Sequence, residues 1–203
     1  VGDIARINVT VPYNATGKVY IEIDGKLYDA TISEGVARFE VENLTFGKKT
    51  VAVTYEGDAN YVAAFTTGNF TVFKHDSQVN VTANATVVGE DAVINVTIPI
   101  DATGYVIVTV DGVNYTINTT DGVGSVSIPG LGNITHTVNV TYIGDGKYLP
   151  STNSTTFGID KVPSYITVDV KNITVGDSAV VYMTVPQDAT GKITVDVNGT
   201  IRS

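Results

Sequence analysis

The 203-residue sequence has no cysteine, no tryptophan, a single methionine and two histidines. Without cysteine there is no disulfide framework and no thiolate metal site. The absence leaves the compartment open, because an exported protein can dispense with disulfides. Leucine occurs four times only (Leu27, Leu44, Leu131, Leu149), and no long stretch shows helical apolar spacing. No apolar run approaches the roughly 18–20 residues of a membrane span, so no membrane insertion is expected in this segment. Residue 1 already lies in a patterned strand region, so no signal peptide is expected among these residues. Cations are scarce: 12 Lys and Arg stand against 21 Asp and Glu, a net charge of −9. That sign repels phosphate backbones and anionic headgroups and argues against nucleic acid or a membrane surface as partner.

What the chain does have is β chemistry. Hydrophobic residues make up 43% of it, enough for a packed core. They are dominated by Val and Ile, with abundant Thr and Tyr, the side chains that suit a pleated, half-buried surface. The chain reads as all-β.

Sliding the sequence against itself by 87 residues aligns nearly every landmark. Val1-Gly2-Asp3 falls on Val88-Gly89-Glu90 and then on Val175-Gly176-Asp177. "NATG" at 14–17 becomes "DATG" at 101–104 and again at 188–191, and Asp24-Gly25 becomes Asp111-Gly112 and Asn198-Gly199. "TYEGDANY" at 54–61 returns as "TYIGDGKY" at 141–148. A period this long is a whole small domain copied in tandem, not a solenoid turn of ~20–45 residues. The boundaries implied are 1–74, a repeat lacking its first strand; 75–161, a complete repeat; and 162–203, the N-terminal part of a third. The linkers "FKHDS" (73–77) and "IDKVPS" (159–164) are short, and Pro163 should restrict bending of the second.

In the complete copy, strands are expected near 78–87, 92–98, 105–110, 113–119, 123–128, 136–143 and 152–159. Ile94, Val96 and Ile98 share one face, as do Ile7, Val9 and Val11 in the first copy and Val181, Met183 and Val185 in the third. Val106, Val108 and Val110 repeat the pattern, matched by Val19, Ile21 and Ile23. The Asp-Gly and Asn-Gly pairs that follow supply the positive φ of a tight hairpin. Seven single-faced strands per repeat make two packed sheets, an immunoglobulin-like β-sandwich, with a closed barrel as the alternative. The Tyr-x-Gly-Asp-x-x-Tyr turn follows a strand that puts Val138, Val140 and Tyr142 inward, so Tyr142 and Tyr148 should pack their rings on the core while their hydroxyls reach backbone or water. That turn and the "DATG" loop share one end of the sandwich, where neighbouring domains should touch.

Fourteen of the fifteen asparagines open Asn-x-Thr, where chance would give roughly three. They are Asn8, Asn14, Asn43, Asn69, Asn80, Asn84, Asn95, Asn114, Asn118, Asn133, Asn139, Asn153, Asn172 and Asn198, with Asn60 the exception. Outward polar alternation accounts for part of the run, as at Asn8, Asn80, Asn95 and Asn139. It does not account for the constant Thr or for the loop positions Asn14, Asn43 and Asn133, so these read as N-glycosylation sites on an exported protein.

No catalytic constellation is found. His75 sits at a domain junction; His136 opens a strand, aligns with Lys49, and is expected outward and solvated. No serine lies in a nucleophile elbow and no glycine-rich phosphate loop follows a strand. No cofactor is expected. Turn acids read as backbone caps, with Asp58 and Asp145 as weak calcium candidates lacking the ligand run of an EF-hand. The lysines fall in turns, linkers and outward faces, which argues against an internal lysine–asparagine crosslink. Tyr61 and Tyr148 mark a candidate binding loop for a glycan or another cell surface.

On "YxGDxxY" and "VGD…INVT(V/I)P…ATG…DG" the whole chain resembles the tandem bacterial-type Ig-like domains of large surface proteins, and most of all the adhesin-like proteins of methanogenic archaea. The resemblance implies an extracellular protein of the cell surface or cell wall whose repeats form a stalk or display a distal binding region. It also implies neighbouring Ig-like repeats as partners and no catalytic residues in these domains. The leading expectation is a non-enzymatic spacer; the alternatives are a carbohydrate or cell-surface binding module and a filament subunit built by strand donation.

Overall fold

A computed structural model describes residues 1–203 except Ala85. Eighteen strands and no helix occur among the described residues. The chain divides into two compact units, Val1–Ile159 and Asp160–Ser203.

The first unit contains two sandwiches. In the first, β1 (Ala5–Thr10) pairs with β4 (Val36–Val41), facing a sheet of order β3-β2-β5-β6 made from β2 (Lys18–Ile23), β3 (Lys26–Thr31), β5 (Gly47–Tyr55) and β6 (Ala64–Val72). In the second, β7 (Asn80–Ala83), β9 (Ala92–Thr97) and β12 (Val123–Ile128) form a sheet of order β12-β9-β7. Opposite stand β8 (Thr86–Val87), β10 (Val106–Val110), β11 (Val113–Ile117), β13 (Thr135–Tyr142) and β14 (Ser151–Asp160), in the order β11-β10-β13-β14-β8. The leading strand expected at 78–87 is therefore split, its first half on one sheet and its second half on the other. These are two open sheets with a core between them, an immunoglobulin-like sandwich rather than a closed barrel.

Each sandwich has its own core. Val19, Ile21 and Ile23 of β2 meet Ala37, Phe39 and Val41 of β4 in the first; Ile94 and Val96 of β9 meet Val106, Val108, Val138 and Val140 in the second. The alternation read from the sequence places these residues inward because successive strand side chains face opposite ways. The hairpin β2–β3 turns on Asp24 and Gly25 with φ of 52° and 75°, and β10–β11 on Asp111 and Gly112 with φ of 49° and 88°. Both central residues lie in the left-handed region, as a type I′ turn needs to match strand twist.

Two expectations about charged side chains fail. His136 is buried at 2% exposure, not outward, and Lys49 is buried at 6%, not on a turn or outward face. Each stands near the start of the long central strand of its repeat, where the side chain reaches the aspartate of the preceding β2–β3 or β10–β11 hairpin.

In the second unit, β15 (Thr167–Val170) pairs with β16 (Val181–Thr184) and β17 (Val195–Val197) with β18 (Thr200–Arg202), both antiparallel. Asn198-Gly199 closes the latter hairpin with positive φ at both residues.

Candidate functional site

The repeated Tyr-x-Gly-Asp-x-x-Tyr stretch is a clamp between two loops. Backbone bonding closes it: Asp58 N donates to the Tyr61 carbonyl at 2.9 Å and Asp145 N to that of Tyr148 at 3.1 Å. The glycine is required twice over. Gly57 and Gly144 have φ of 88° and 78°, and a Cβ there would lie 2.6 Å from the Tyr61 oxygen or 2.8 Å from that of Tyr148.

The aspartate carboxylate then staples this turn to the neighbouring loop. Asp145 Oδ1 accepts the Lys147 and Tyr148 amides at 2.7 Å each, while Oδ2 accepts Thr103 N at 2.7 Å and Thr103 Oγ1 at 3.1 Å. Asp58 does the same with the Asn60 and Tyr61 amides and with Thr16 N and Oγ1. The threonine of "ATG" is thus the staple's acceptor-facing partner in both repeats. For Asp58 the Thr16 and Asn60 amides hold the carboxyl well below the usual carboxylate range. For Asp145 burial pushes upward, and the amides of Thr103, Tyr148 and Lys147 outweigh it, leaving the carboxyl well below that range too. Every carboxylate oxygen of this pair is held by two donors, which is the bonding of a turn cap; a calcium ion there would have to displace them. No group of three or more metal-ligating side chains occurs among the described residues.

The tyrosines fare differently from one another. Tyr148 donates to Asp101 Oδ1 at 2.6 Å, and Lys147 Nζ reaches Asp101 Oδ2 at 2.5 Å while lying 5.4 Å from the Tyr148 ring centroid. The first repeat has Asn14 and Asn60 where the second has Asp101 and Lys147, so this triad is not duplicated. Tyr61 packs on the first core. Tyr142 is fully buried with its hydroxyl meeting no hydrogen-bond partner among the described residues, whereas its counterpart Tyr55 donates to the Thr16 carbonyl at 3.3 Å. Burial pushes the Tyr142 phenol strongly upward. Exposed aromatics at this end include Tyr13, Phe65 and Tyr105.

The second repeat's clamp is also where the two sandwiches meet. His75 N donates to the Lys147 carbonyl and Leu149 N to that of His75, both at 2.8 Å, so the linker runs as a one-residue parallel bridge alongside Tyr148. Lys74 Nζ donates to the Asp145 carbonyl and stands 5.5 Å from the Phe46 ring of the first repeat. His75 Nε2 lies 2.6 Å from the Val1 carbonyl, the Val1 nitrogen donates to Phe73 O at 2.7 Å, and Ser77 Oγ donates to Leu149 O at 2.6 Å. Domain contact at the "DATG" end is therefore observed, with the linker itself as the mortar.

The sequence reading overlooked a second repeated pair. Lys49 Nζ binds Asp24 Oδ2 at 2.6 Å and Thr45 Oγ1 at 2.8 Å. At the same places 87 residues on, His136 Nδ1 lies 2.5 Å from Asp111 Oδ2 and Nε2 lies 2.9 Å from the Gly132 carbonyl. Both ring nitrogens face acceptors, so both must donate, which favours the imidazolium. The Asp111 hydrogen bond, then the Gly132 carbonyl, raises His136 above the ordinary histidine value, and His136 with the Thr137 amide lowers Asp111. The only signal in the sequence was that a cation recurs at 49 and 136 after an aspartate at 24 and 111.

Of the fourteen sequon asparagines, thirteen are exposed and Asn95 is half-buried. Asn153 Nδ2 donates to the Val79 carbonyl at 2.9 Å and Asn133 Nδ2 to that of Ile159. The nitrogen that would carry a glycan is thus engaged at these two.

No protein-family model and no curated protein matches the chain. Among solved structures it is similar to fibronectin(III)-like modules of Clostridium thermocellum CbhA, at 16% identity and TM-score 0.36, over 79% of this chain and 87% of that one. It is also similar to part of a 1.5-MDa bacterial ice-binding adhesin, at 15% identity and TM-score 0.35, over 83% of this chain and 62% of that one. A third is a tandem pair of titin Ig domains, at 13% identity and TM-score 0.30, over 80% of this chain and 90% of that one.

Proposed function

We propose that this chain is a non-enzymatic spacer: tandem Ig-like repeats, with boundaries after residues 74 and 161, that hold other parts of an extracellular, surface-attached protein at a fixed distance. The observation that carries the reading is the junction. Linker residues Phe73–Ser77 are not a free hinge; they are hydrogen-bonded on both sides, to Val1 and to Lys147 and Leu149. A linker tied into the folds it joins resists bending, and bending resistance is what a stalk needs. Resemblance of the motifs to archaeal adhesin-like repeats supports the same setting.

Sugars fit this reading. Thirteen sequon asparagines face solvent, and glycans on outward strand positions shield sheet edges from pairing with other chains. Intact mass of natively produced protein should exceed the polypeptide mass by several glycans; an unmodified mass removes the glycoprotein part of the reading and leaves the spacer part.

Small-angle scattering on the full chain tests the spacer. A stiff junction predicts a maximum dimension that does not change between low and moderate salt and that broadens in His75→Ala combined with Ser77→Ala. Scattering from the unaltered chain that already requires an ensemble of bent forms across residues 73–77 would sink the proposal. A second reading, recognition of a carbohydrate or cell surface, is favoured by exposed Tyr13 and Tyr105. A glycan array with Tyr13→Ala, Tyr105→Ala, Tyr61→Ala and Tyr148→Ala separates it from the first.

A further inference from the structure

The two sandwiches share a core pattern but differ in the charge of their outer faces. None of β7–β13 contains Asp, Glu, Lys or Arg, and β14 holds one only at its last residue, Asp160. In the first sandwich the outward residues of β2, β3 and β5 include Lys18, Glu22, Asp29 and Lys48, and Lys18 pairs with Asp29 at 2.7 Å. Eighty-seven residues on, these four positions are Tyr105, Thr109, Thr116 and Thr135. A lane runs along the middle of this uncharged face. Tyr105, which precedes β10, is 42% exposed, and Ile107 and Thr109 follow it on the same side, half-buried. Thr109 stands between Asn114 and Asn139, and Ile107 between Thr116 and Thr141. Those four flanking residues belong to two complete sequons, Asn114-Tyr115-Thr116 and Asn139-Val140-Thr141. Neighbouring strands lie ~4.8 Å apart, so the two exposed asparagines straddle the lane with roughly 10 Å between them. Thr109 Oγ1 donates to Asn114 Oδ1 at 2.7 Å, so the amide oxygen, not the nitrogen, is the engaged atom. In the first sandwich the same lane reads Lys18, Tyr20 and Glu22, flanked by Leu27 and Asp29 and by Ala52 and Thr54. It has charges and no sequon.

We infer that this face is the resting surface of the chain's own sugar: uncharged glycans joined to Asn114 and Asn139 lie back over Ile107 and Tyr105 instead of standing in solvent. Where the sugar lies, and what it does there, go beyond the glycoprotein reading on which this rests. Attachment joins the asparagine Nδ2 to the anomeric carbon of a phosphate-activated sugar donor; the phosphate carrier leaves and the amide gives up one proton. An uncharged pyranose has apolar C–H faces and a rim of hydroxyls. Here the C–H side meets Ile107 and the Tyr105 ring, and the hydroxyls meet those of Thr109, Thr116 and Thr141. On the first sandwich the same sugar would strip water from Lys18, Glu22 and Asp29, a desolvation cost that its neutral hydroxyls do not offset. One physical cause thus accounts for two differences between the repeats: sequons flank the lane only where the lane has no charge.

Glycopeptide mapping of the natively produced full chain should find sugar on Asn114 and Asn139. Calorimetry then compares four proteins from the same host: the unaltered chain, Asn114→Gln with Asn139→Gln, Tyr105→Ser, and all three changes together. Removing both sequons should lower the melting temperature of the second sandwich by about 3 °C or more. Tyr105→Ser should produce a similar drop when the sequons are present and almost none when they are absent, because an exposed ring with nothing laid over it contributes little. Bare Asn114 and Asn139 in a chain glycosylated elsewhere overturn this inference and leave the glycoprotein reading standing. A Tyr105→Ser effect that is equal with and without the sequons does the same, since sugar standing in solvent would not sense the ring. A chain that carries no sugar at all removes both.

Discussion

Replacing His136 by lysine, the residue that its counterpart position carries, should remove a pH dependence that only the second sandwich has. A group with a raised folded pKa contributes stability that is complete below its ordinary value and is lost as pH rises through the folded value. His136, raised from 6.5, therefore stabilises the second sandwich fully below pH 6.5 and progressively less above. Asp111 is lowered from 3.8, so its contribution is present above that pH and is lost as pH falls through the depressed value. Together they place the pair's optimum between about pH 4 and 6.5. The size follows from burial. The imidazole is 3% exposed but Asp111 is 41% exposed. A charge-assisted hydrogen bond of about 1.5–3 kcal/mol, trimmed by solvent screening at the exposed partner, leaves about 1–2 kcal/mol. Hydrogen exchange, corrected for the intrinsic pH dependence of the amides, reads each sandwich separately. Protection at Val138 and Val140 should fall roughly 5–30-fold from pH 6 to pH 8, and protection at Val51 and Val53, in the sandwich without a histidine at this place, should not. In His136→Lys the fall should vanish. Equal behaviour of the two sandwiches, or a pH dependence that survives in the variant, would refute the argument.

Gly104→Ala should destabilise the second sandwich by about 1–3 kcal/mol, because a Cβ there would stand 2.6 Å from the Gly144 oxygen and 2.8 Å from Tyr142 Cε2; calorimetry should show that transition alone move down. Asp145→Ala removes the staple and leaves the Thr103, Lys147 and Tyr148 amides without acceptors. A loss of about 1–2 kcal/mol is expected, with a drop of several degrees in melting temperature. Tyr142→Phe deletes a buried hydroxyl that has no partner among the described residues and should change stability by less than about 0.5 kcal/mol or raise it; a loss of about 1 kcal/mol or more, measured by urea denaturation, would show that the hydroxyl is bonded after all.

Much of the fold was legible because its signals are local. Ile94, Val96 and Ile98 announce one face of a strand because the pleat alternates, and Asp111-Gly112 announces a hairpin because the turn needs positive φ at both residues. The break that splits the leading strand was not legible, since each half is equally good strand sequence and only the choice of sheet distinguishes them. The binding-loop assignment shows the same limit. Tyr13, Tyr61, Tyr105 and Tyr148 are all available in the sequence as loop aromatics, but only the fold ties Tyr148 to Asp101, forty-seven residues away, packs Tyr61 on the first core and leaves Tyr13 and Tyr105 exposed.

By itself the sequence determined the 87-residue period, the all-β class, the inward faces of the strands and the turns that join them, because each of these depends on residues within a few positions of one another. Tertiary structure alone decided that Lys49 and His136 lie buried against aspartates twenty-five residues away and that the linker is bonded along a turn of the next repeat. Those outcomes depend on which strands become neighbours, and a pattern with a period of two residues carries no record of what will lie across the sheet.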